Sequence, residues 1–325
     1  MSKILAFCLI SEKGLTRGSL ELMAAGRKLA DALEGVKVCA VPMGSNARAW
    51  AQGLIQQGAD EVIPLSHERL QPYETEVLLG VAEQIVDKLA PRVILFPHDI
   101  PGSEVAPRLA YRLGTGVVTD CLGFEVVDGR IRWLKPVYGG KAMAYMVIKG
   151  PIDVATMRMH AFDPLLADES RWGEVKQLNV NVEGIATKVS FVERRVEEIE
   201  GIALDQARII ISGGRGMGSP ENFKVLEELA RILKAAVGGS RPVVDAGWLP
   251  HSRLIGQTGK IVAPDLYIAV GISGATQHMT GVGARTIVAI NKDEDAPIFR
   301  QAHIGIIDRW EEVLPQFIEE CKKLS

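Results

Sequence analysis

The last third of the chain sets the tightest limit on what it can fold into. Ser212-Gly-Gly-Arg-Gly216, Gly239-Ser-Arg-Pro242, Gly256-Gln-Thr-Gly-Lys260 and Ser273-Gly-Ala-Thr-Gln-His278 follow one another, separated by apolar runs. Polar, glycine-bearing loops spaced in this way suit a long phosphorylated ligand lying across one edge of a sheet. The runs Ala207–Ser212, Leu266–Val270, Thr286–Ile290 and Ile304–Ile307 are continuous apolar stretches, the pattern of strands covered on both faces. Gly271-Ile-Ser-Gly, Asn291-Lys-Asp and Asp308-Arg-Trp stand at the carboxyl ends of the last three, where open parallel sheets bind ligands. Ser219 as N-cap, Pro220 and Glu221 predict a helix that runs to about Ala236, where Gly238-Gly239 stops it. An amphipathic helix over Trp310–Leu324 closes the segment.

The first half has the rhythm of βα units. Ile4–Ile10, Val36–Val41, Val62–Leu65, Val93–Phe96 and Val117–Val118 read as strands. Between them, Leu20–Leu33, Trp50–Gln57, Val77–Leu89 and Val105–Leu113 read as helices, which together build a parallel sheet. Arg130–Lys135 and Ala142–Lys149 flank Tyr138-Gly-Gly140 and predict a hairpin. Val175–Val182 and Lys188–Val192 add strand-like sequence. Glu193–Gly201 is charged and poor in apolar residues, which reads as a linker. A length of 325 residues suits two domains. The expected fold is therefore α/β in two domains: an N-terminal parallel sheet with an added hairpin over 1–195, a charged linker at 196–205, and a Rossmann-like nucleotide-binding domain over 206–325.

Composition removes several function classes. With 37 basic against 40 acidic residues and a net charge of −3, nothing marks a nucleic-acid partner or an anionic membrane. Cys8, Cys39, Cys121 and Cys321 lie far apart in no ligand pattern and read as small buried hydrophobes in a reducing compartment. The opening run Lys3–Ile10 is strand-length with no basic leader, and no run is long enough to span a membrane, so a cytoplasmic protein is expected. The Gly213–Gly218 spacing is not the G-x-G-x-x-G dinucleotide fingerprint. Gly256–Lys260 shares letters with a P-loop, but its Lys opens no helix, which disfavours triphosphate hydrolysis. His98, His160, His251 and His303 read as structural, and Trp248 as a packing residue.

Taken together, these residues resemble the alpha-subunit family of the electron transfer flavoproteins. The likeness runs through Ser212, Asn222-Phe223, Ser240-Arg241, Val244–Gly247, Gly256–Pro264, Leu266–Gly274, Gln277-His278, Ile287–Asp293 and Ala296–Phe299. In the first domain it is looser, through Gly102–Leu109, Thr119-Asp120 and Pro136–Gly140. Two departures stand out: a shortened loop between His278 and Thr286, and Arg309-Trp310 after Asp308 where the family commonly has Asp-Leu.

The resemblance implies one FAD in the second domain and electron transfer in place of bond-making on a bound substrate. Arg215 would lie near the phosphates, Ser240 and Arg241 beside the flavin ring, and Ile255, Gly256, Gln257 and Thr258 along its N5 edge and ribityl chain. Ser273, Gly274, Ala275, Thr276, Gln277 and His278 would hold the pyrophosphate and the pyrimidine end. Asn291, with Asp308, Arg309 and Trp310, would reach the adenosine. A guanidinium from Arg241 and a donor from His278 would stabilise negative charge at the flavin N1–O2 edge. The implied partners are a beta subunit carrying AMP or a second FAD, a dehydrogenase of the acyl-CoA type, and a quinone oxidoreductase or ferredoxin. Rotation of the flavin domain about the linker would let one flavin serve two partners, and whether the assembly relays or bifurcates electrons stays open. Two other readings also stand: a nicotinamide-dependent dehydrogenase, and a non-redox regulatory module that binds AMP or ADP.

Overall fold

The computed structural model describes residues 2–11, 14–138, 140, 142–193, 201–204 and 207–324. Its contacts divide into two compact units, residues 1–193 and 194–325. Most of the expected linker, and Gly139 of the expected hairpin turn, lie outside the described residues. No helix among the described residues is long and apolar enough to cross a membrane.

The first unit begins with β1 (Lys3–Ser11), α1 (Arg17–Ala32), β2 (Lys37–Gly44), α2 (Ala51–Gln56), β3 (Glu61–Val62), α3 (Thr75–Leu89), β4 (Val93–Pro97), α4 (Ile100–Arg112) and β5 (Val117–Cys121). Then come β6 (Gly123–Val127), β7 (Arg130–Val137), β8 (Ala142–Met146), β9 (Asp153–Met157) and β10 (Glu174–Val175). The main sheet runs β10-β3-β2-β1-β4-β9-β5, every pairing along it parallel. Its central strands are apolar on both faces because each face carries a core, one against α1 and one against α3 and α4. Strands β7 and β8 pair antiparallel as the hairpin expected from the sequence, and β6, which the sequence reading did not foresee, pairs antiparallel with β7. The anchor of this appendage is the fully buried Trp133, whose indole N–H donates to Asp153 at 3.0 Å. All four cysteines are buried and free.

Two expectations fail here. The single strand at Val62–Leu65 is split into Glu61–Val62 and Leu65–Ser66, because Pro64 has no N–H to give the ladder. Of the strand-like sequence after residue 174, only Glu174–Val175 joins the sheet. The alternation beyond it is real, since Leu178, Val180 and Val182 pack toward the core beside α3. The backbone polar groups there are met by side chains instead of a neighbouring strand. Arg69 donates to the carbonyls of Val182, Glu183 and Ile185, Gln84 exchanges bonds with Asn181, and Lys88 donates to the Asn179 carbonyl.

In the second unit β11 (Ile209–Gly213) is followed by α5 (Phe223–Leu233), β12 (Ala236–Gly239), α6 (Arg241–Asp245), β13 (Leu266–Val270), α7 (Thr276–Met279), β14 (Thr286–Asn291), β15 (Ile304–Ile307) and α8 (Trp310–Leu324). All pairings are parallel, in the order β12-β11-β13-β14-β15. This is the doubly wound order whose switch point falls between the first and third strands, β11 and β13. The predicted helix end is corrected: α5 stops at Leu233 with Lys234 left-handed, and Ala236–Gly239 is a buried strand beside β11. Ser219 makes no side-chain cap bond and precedes a 3-10 turn over Pro220–Asn222, so the α-helix starts only at Phe223. Helices α5 and α8 cover one face of the sheet. Loops and the single turn of α7 cover the other.

At the amino edge of the first sheet, Glu61 is almost fully buried and receives Lys3 (2.6 Å), Lys176 (2.9 Å) and Lys37 (3.3 Å). Burial alone would push its carboxyl up, but the three ammonium groups together hold it down at about 2. Because the folded value lies below the ordinary 4.5, this contribution is present above that pH and is lost as pH falls toward 2. Glu61→Gln is therefore expected to lower stability at neutral pH and to flatten the acid limb between those values, read by urea unfolding across pH.

Candidate functional site

The site is built where the carboxyl ends of the second sheet need partners for their backbone groups. Gly214 N–H donates to the Val270 carbonyl (2.8 Å), Gly216 N–H to Gly271 (3.0 Å), and Gly271 N–H to Ile290 (2.9 Å). These bonds draw the loops after β11 and β13 together at the switch point. A Cβ on Gly214 would lie 2.2 Å from the Gly271 carbonyl oxygen, so that seat admits only glycine. Asn222 donates to the Met217 carbonyl (2.6 Å) and closes the first loop.

The second loop is tied to its neighbours in the same way. Ser240 is buried, starts α6, and donates its N–H to the Gly213 carbonyl (3.2 Å). Ile255 N–H donates to Gly239 (3.0 Å), and Gln257 N–H donates to Gln277 (2.7 Å). Gly256, at φ 141°, lies where a Cβ would come 2.9 Å from the Gln277 carbonyl oxygen, which lets the two loops touch. The exposed Arg241 guanidinium donates to Thr258 Oγ1 (3.2 Å) and to Asp245 (2.8 Å).

The third group gathers the turn after β13 with the ends of β14 and β15. Ser273, Ala275 and Gln277 are exposed, and no side chain caps the Ala275–Met279 turn. The Ser273 carbonyl accepts from Ile298 N–H (3.0 Å). Gly274, at φ 82°, is pressed against Ile298. Asn291 donates to the Ile272 carbonyl (3.0 Å), and Trp310 Nε1 donates to the Gly216 carbonyl (3.2 Å). Asn291, Asp308, Arg309 and Trp310 share a small concavity with Gly216 and Gly271. Arg215 is exposed in the loop after β11.

The structure thus brings most of the expected residues to one edge. His278, expected to present a donor to a ligand, is 6% exposed, and both ring nitrogens lie at hydrogen-bond distance from protein groups. Nδ1 lies 3.0 Å from the Ile255 carbonyl and Nε2 lies 2.8 Å from Tyr267 Oη. Burial holds the imidazole down at about 4 despite the bond to Ile255, so the ring is neutral at physiological pH. Two residues that sequence reasoning missed complete the arrangement. Asp245 was visible as the i+4 partner of Arg241. Tyr267 was hidden as one aromatic inside an apolar strand.

This donor set suits a dinucleotide. A cation paired with a hydroxyl, an uncapped turn with exposed backbone, and a rim of indole and amide groups lie along one edge. Comparison with known proteins agrees. Residues 9–183 match the family model described as the electron transfer flavoprotein domain, and residues 203–283 match that of the electron transfer flavoprotein FAD-binding domain. The chain is 37% identical over 324 residues to the electron transfer flavoprotein subunit alpha of Bacillus subtilis (strain 168), covering 99% of this chain and 98% of the relative. It is 40% identical over 314 residues to that of Thermoanaerobacterium thermosaccharolyticum, covering 94% of each. Protein FixB of Clostridium saccharobutylicum is 37% identical over 319 residues, covering 96% of this chain and 94% of the relative.

The glycine seat can be tested without a ligand. Gly214→Ala is expected to cost the second unit about 1–3 kcal/mol through overpacking. Gly53→Ala, in open space on α2, is expected to be neutral or slightly stabilising. Chemical unfolding of the two variants checks the difference.

Proposed function

Because the chain belongs to the electron transfer flavoprotein family as an alpha subunit, with FAD as the cofactor of its second domain, we propose that it passes electrons between flavoprotein dehydrogenases and a downstream acceptor. The observation that carries this reading is the convergence of the loops after β11, β12 and β13 on one switch point, with Arg241 and Thr258 joined at its rim. FAD, when bound, supplies the electron acceptance and release.

The chain's own residues bind and orient it. Arg241 sets a positive charge beside the Thr258 hydroxyl, where the flavin ring would lie, and Asp245 holds the guanidinium in that position. The backbone of Gly256 and Gln257 would run along the ring edge. The Ser273–Gln277 turn, uncapped and exposed, takes the diphosphate, with Arg215 on the same edge. Asn291, Asp308, Arg309 and Trp310 frame the adenosine end. Buried Ser240 fixes the start of α6 and so the direction of Arg241.

The partner reading extends this. A beta subunit, carrying AMP or a second FAD, completes the heterodimer. The donors are dehydrogenases of the acyl-CoA type and the acceptor is a quinone oxidoreductase or ferredoxin. The outer face of the three-stranded sheet supports a docking role for the first domain: Met143 and Tyr145 are 57% and 51% exposed on one face of one short strand.

Co-purification with the partner chain followed by flavin quantification tests both statements. One FAD per alpha chain is expected, and two per heterodimer would mark a bifurcating assembly. Arg241→Ala is expected to weaken FAD binding about tenfold through loss of a charge-assisted contact. The double change Met143→Glu and Tyr145→Glu is expected to abolish partner co-purification without loss of FAD. A colourless wild-type complex would refute the proposal.

A further inference from the structure

In the appendage of the first unit, β8 covers only part of β7. Its ladder ends where Met146 faces Trp133, so residues 130–132 keep β6 on one side and have no strand on the other. The Leu134 carbonyl accepts the Leu122 N–H on the β6 side (2.8 Å). Successive residues of a strand turn their backbone groups to opposite edges, so Ile131 turns its N–H and C=O to the uncovered one. Among the described residues nothing bonds to either group, although Ile131 is only 4% exposed. A buried peptide group without a partner is costly, which marks this edge as one that another chain completes.

The uncovered edge opens on a groove of about 1090 Å³ between β7 and residues 147–151. Arg92, Arg130, Arg132 and Lys149 line it, against the carboxylates of Asp128 and Asp153. These cations are scattered in sequence, and the fold gathers them on one face of a chain whose net charge is −3. Glu125 lies directly opposite Arg132 but accepts the Tyr145 hydroxyl instead (2.5 Å). Among the described residues none of the four cations is in an ion pair, and only Arg92 is tied down, by the Gly129 carbonyl. Val127 and Val147 add apolar surface between them. Permanent interfaces are mostly apolar, whereas exposed charges speed encounter and set salt dependence more than they add affinity. The groove therefore suits a visiting partner, unlike the apolar face of Met143 and Tyr145.

We infer that this groove receives an extended acidic segment of a protein that docks reversibly on the complex. The segment adds a strand to β7 at Ile131 while its carboxylates meet Arg92, Arg130, Arg132 and Lys149. The inference is independent of the FAD reading.

The test uses the purified complex with its partner chain and a fluorescein-labelled octapeptide of alternating glutamate and valine, followed by fluorescence anisotropy. The wild type is expected to bind the peptide at low salt, about tenfold more weakly as ionic strength rises from about 0.01 M to about 0.15 M and the screening length falls from about 30 Å to about 8 Å. Arg130→Glu combined with Arg132→Glu is expected to abolish binding, whereas Arg130→Lys combined with Arg132→Lys retains most of it. Hydrogen exchange is expected to slow at the Ile131 amide when the peptide is bound, a change that a purely electrostatic contact does not produce. No binding by the wild type, equal binding by the double glutamate variant, an Ile131 amide indifferent to the peptide, or displacement of the peptide by equimolar tripolyphosphate would each overturn the inference. So would a zero-length carbodiimide cross-link from Lys149 to the permanent partner chain, which would make the groove part of the heterodimer.

Discussion

The second domain depends on a demand of the peptide backbone at one sheet edge. Five parallel strands end with N–H and C=O groups that have no further strand to bond, and the loops that follow satisfy one another. Gly214 and Gly216 bond into the β13 side, Gly271 into β14, Ser240 into β11 and Ile255 into β12. This mutual satisfaction brings main chain against main chain. At Gly214 and Gly256, for example, a side chain would stand in the path of a neighbouring carbonyl. The ligand edge is a by-product of this closure, since loops that face each other through their backbones turn polar side chains such as Arg241, Thr258 and Gln277 outward.

Much of this was legible in the sequence, and the misses have physical causes. The strands of the second domain could be read because buried parallel strands are uniformly apolar, and the glycine loops because close backbone approach leaves few other choices. The end of α5 was misread because Gly238-Gly239 looks like a helix stop, whereas those glycines are the last residues of a buried strand. The segment after Glu174 showed true alternation, but one-sided burial against a helix surface writes the same letters as a strand edge. At the site, it was the family resemblance that placed Arg241 and Thr258 together, since a lone arginine in a polar loop reads as a solvated surface charge. The protein contacts of His278 were not legible, because a sequence shows that a histidine follows a loop, not which groups its nitrogens face.

The two faces of the second sheet are built by different means. One is closed by α5 and α8 through ordinary apolar packing, with Phe223 and Trp248 meeting edge to face at 6.2 Å. The other is closed by loops and carries a buried polar contact between a tyrosine and a histidine. Helices satisfy their own backbones, and loops do not. The polar side chains that the sequence places inside an apolar environment therefore occur on the loop-covered face, where there is backbone left to satisfy.

The strap at the end of the first domain has a mechanical consequence. Arg69 grips the carbonyls of Val182, Glu183 and Ile185, and the side chain of Ile185 is pressed against Gly80 on α3. The grip lies a few residues before the boundary at 193, beyond which the second unit begins. Tension entering the first domain along the chain from that side is met by three hydrogen bonds radiating from one guanidinium before it can reach the two-residue ladder at Glu174–Val175. The strap thus anchors the chain on side chains of the first domain, independently of the sheet's own ladder.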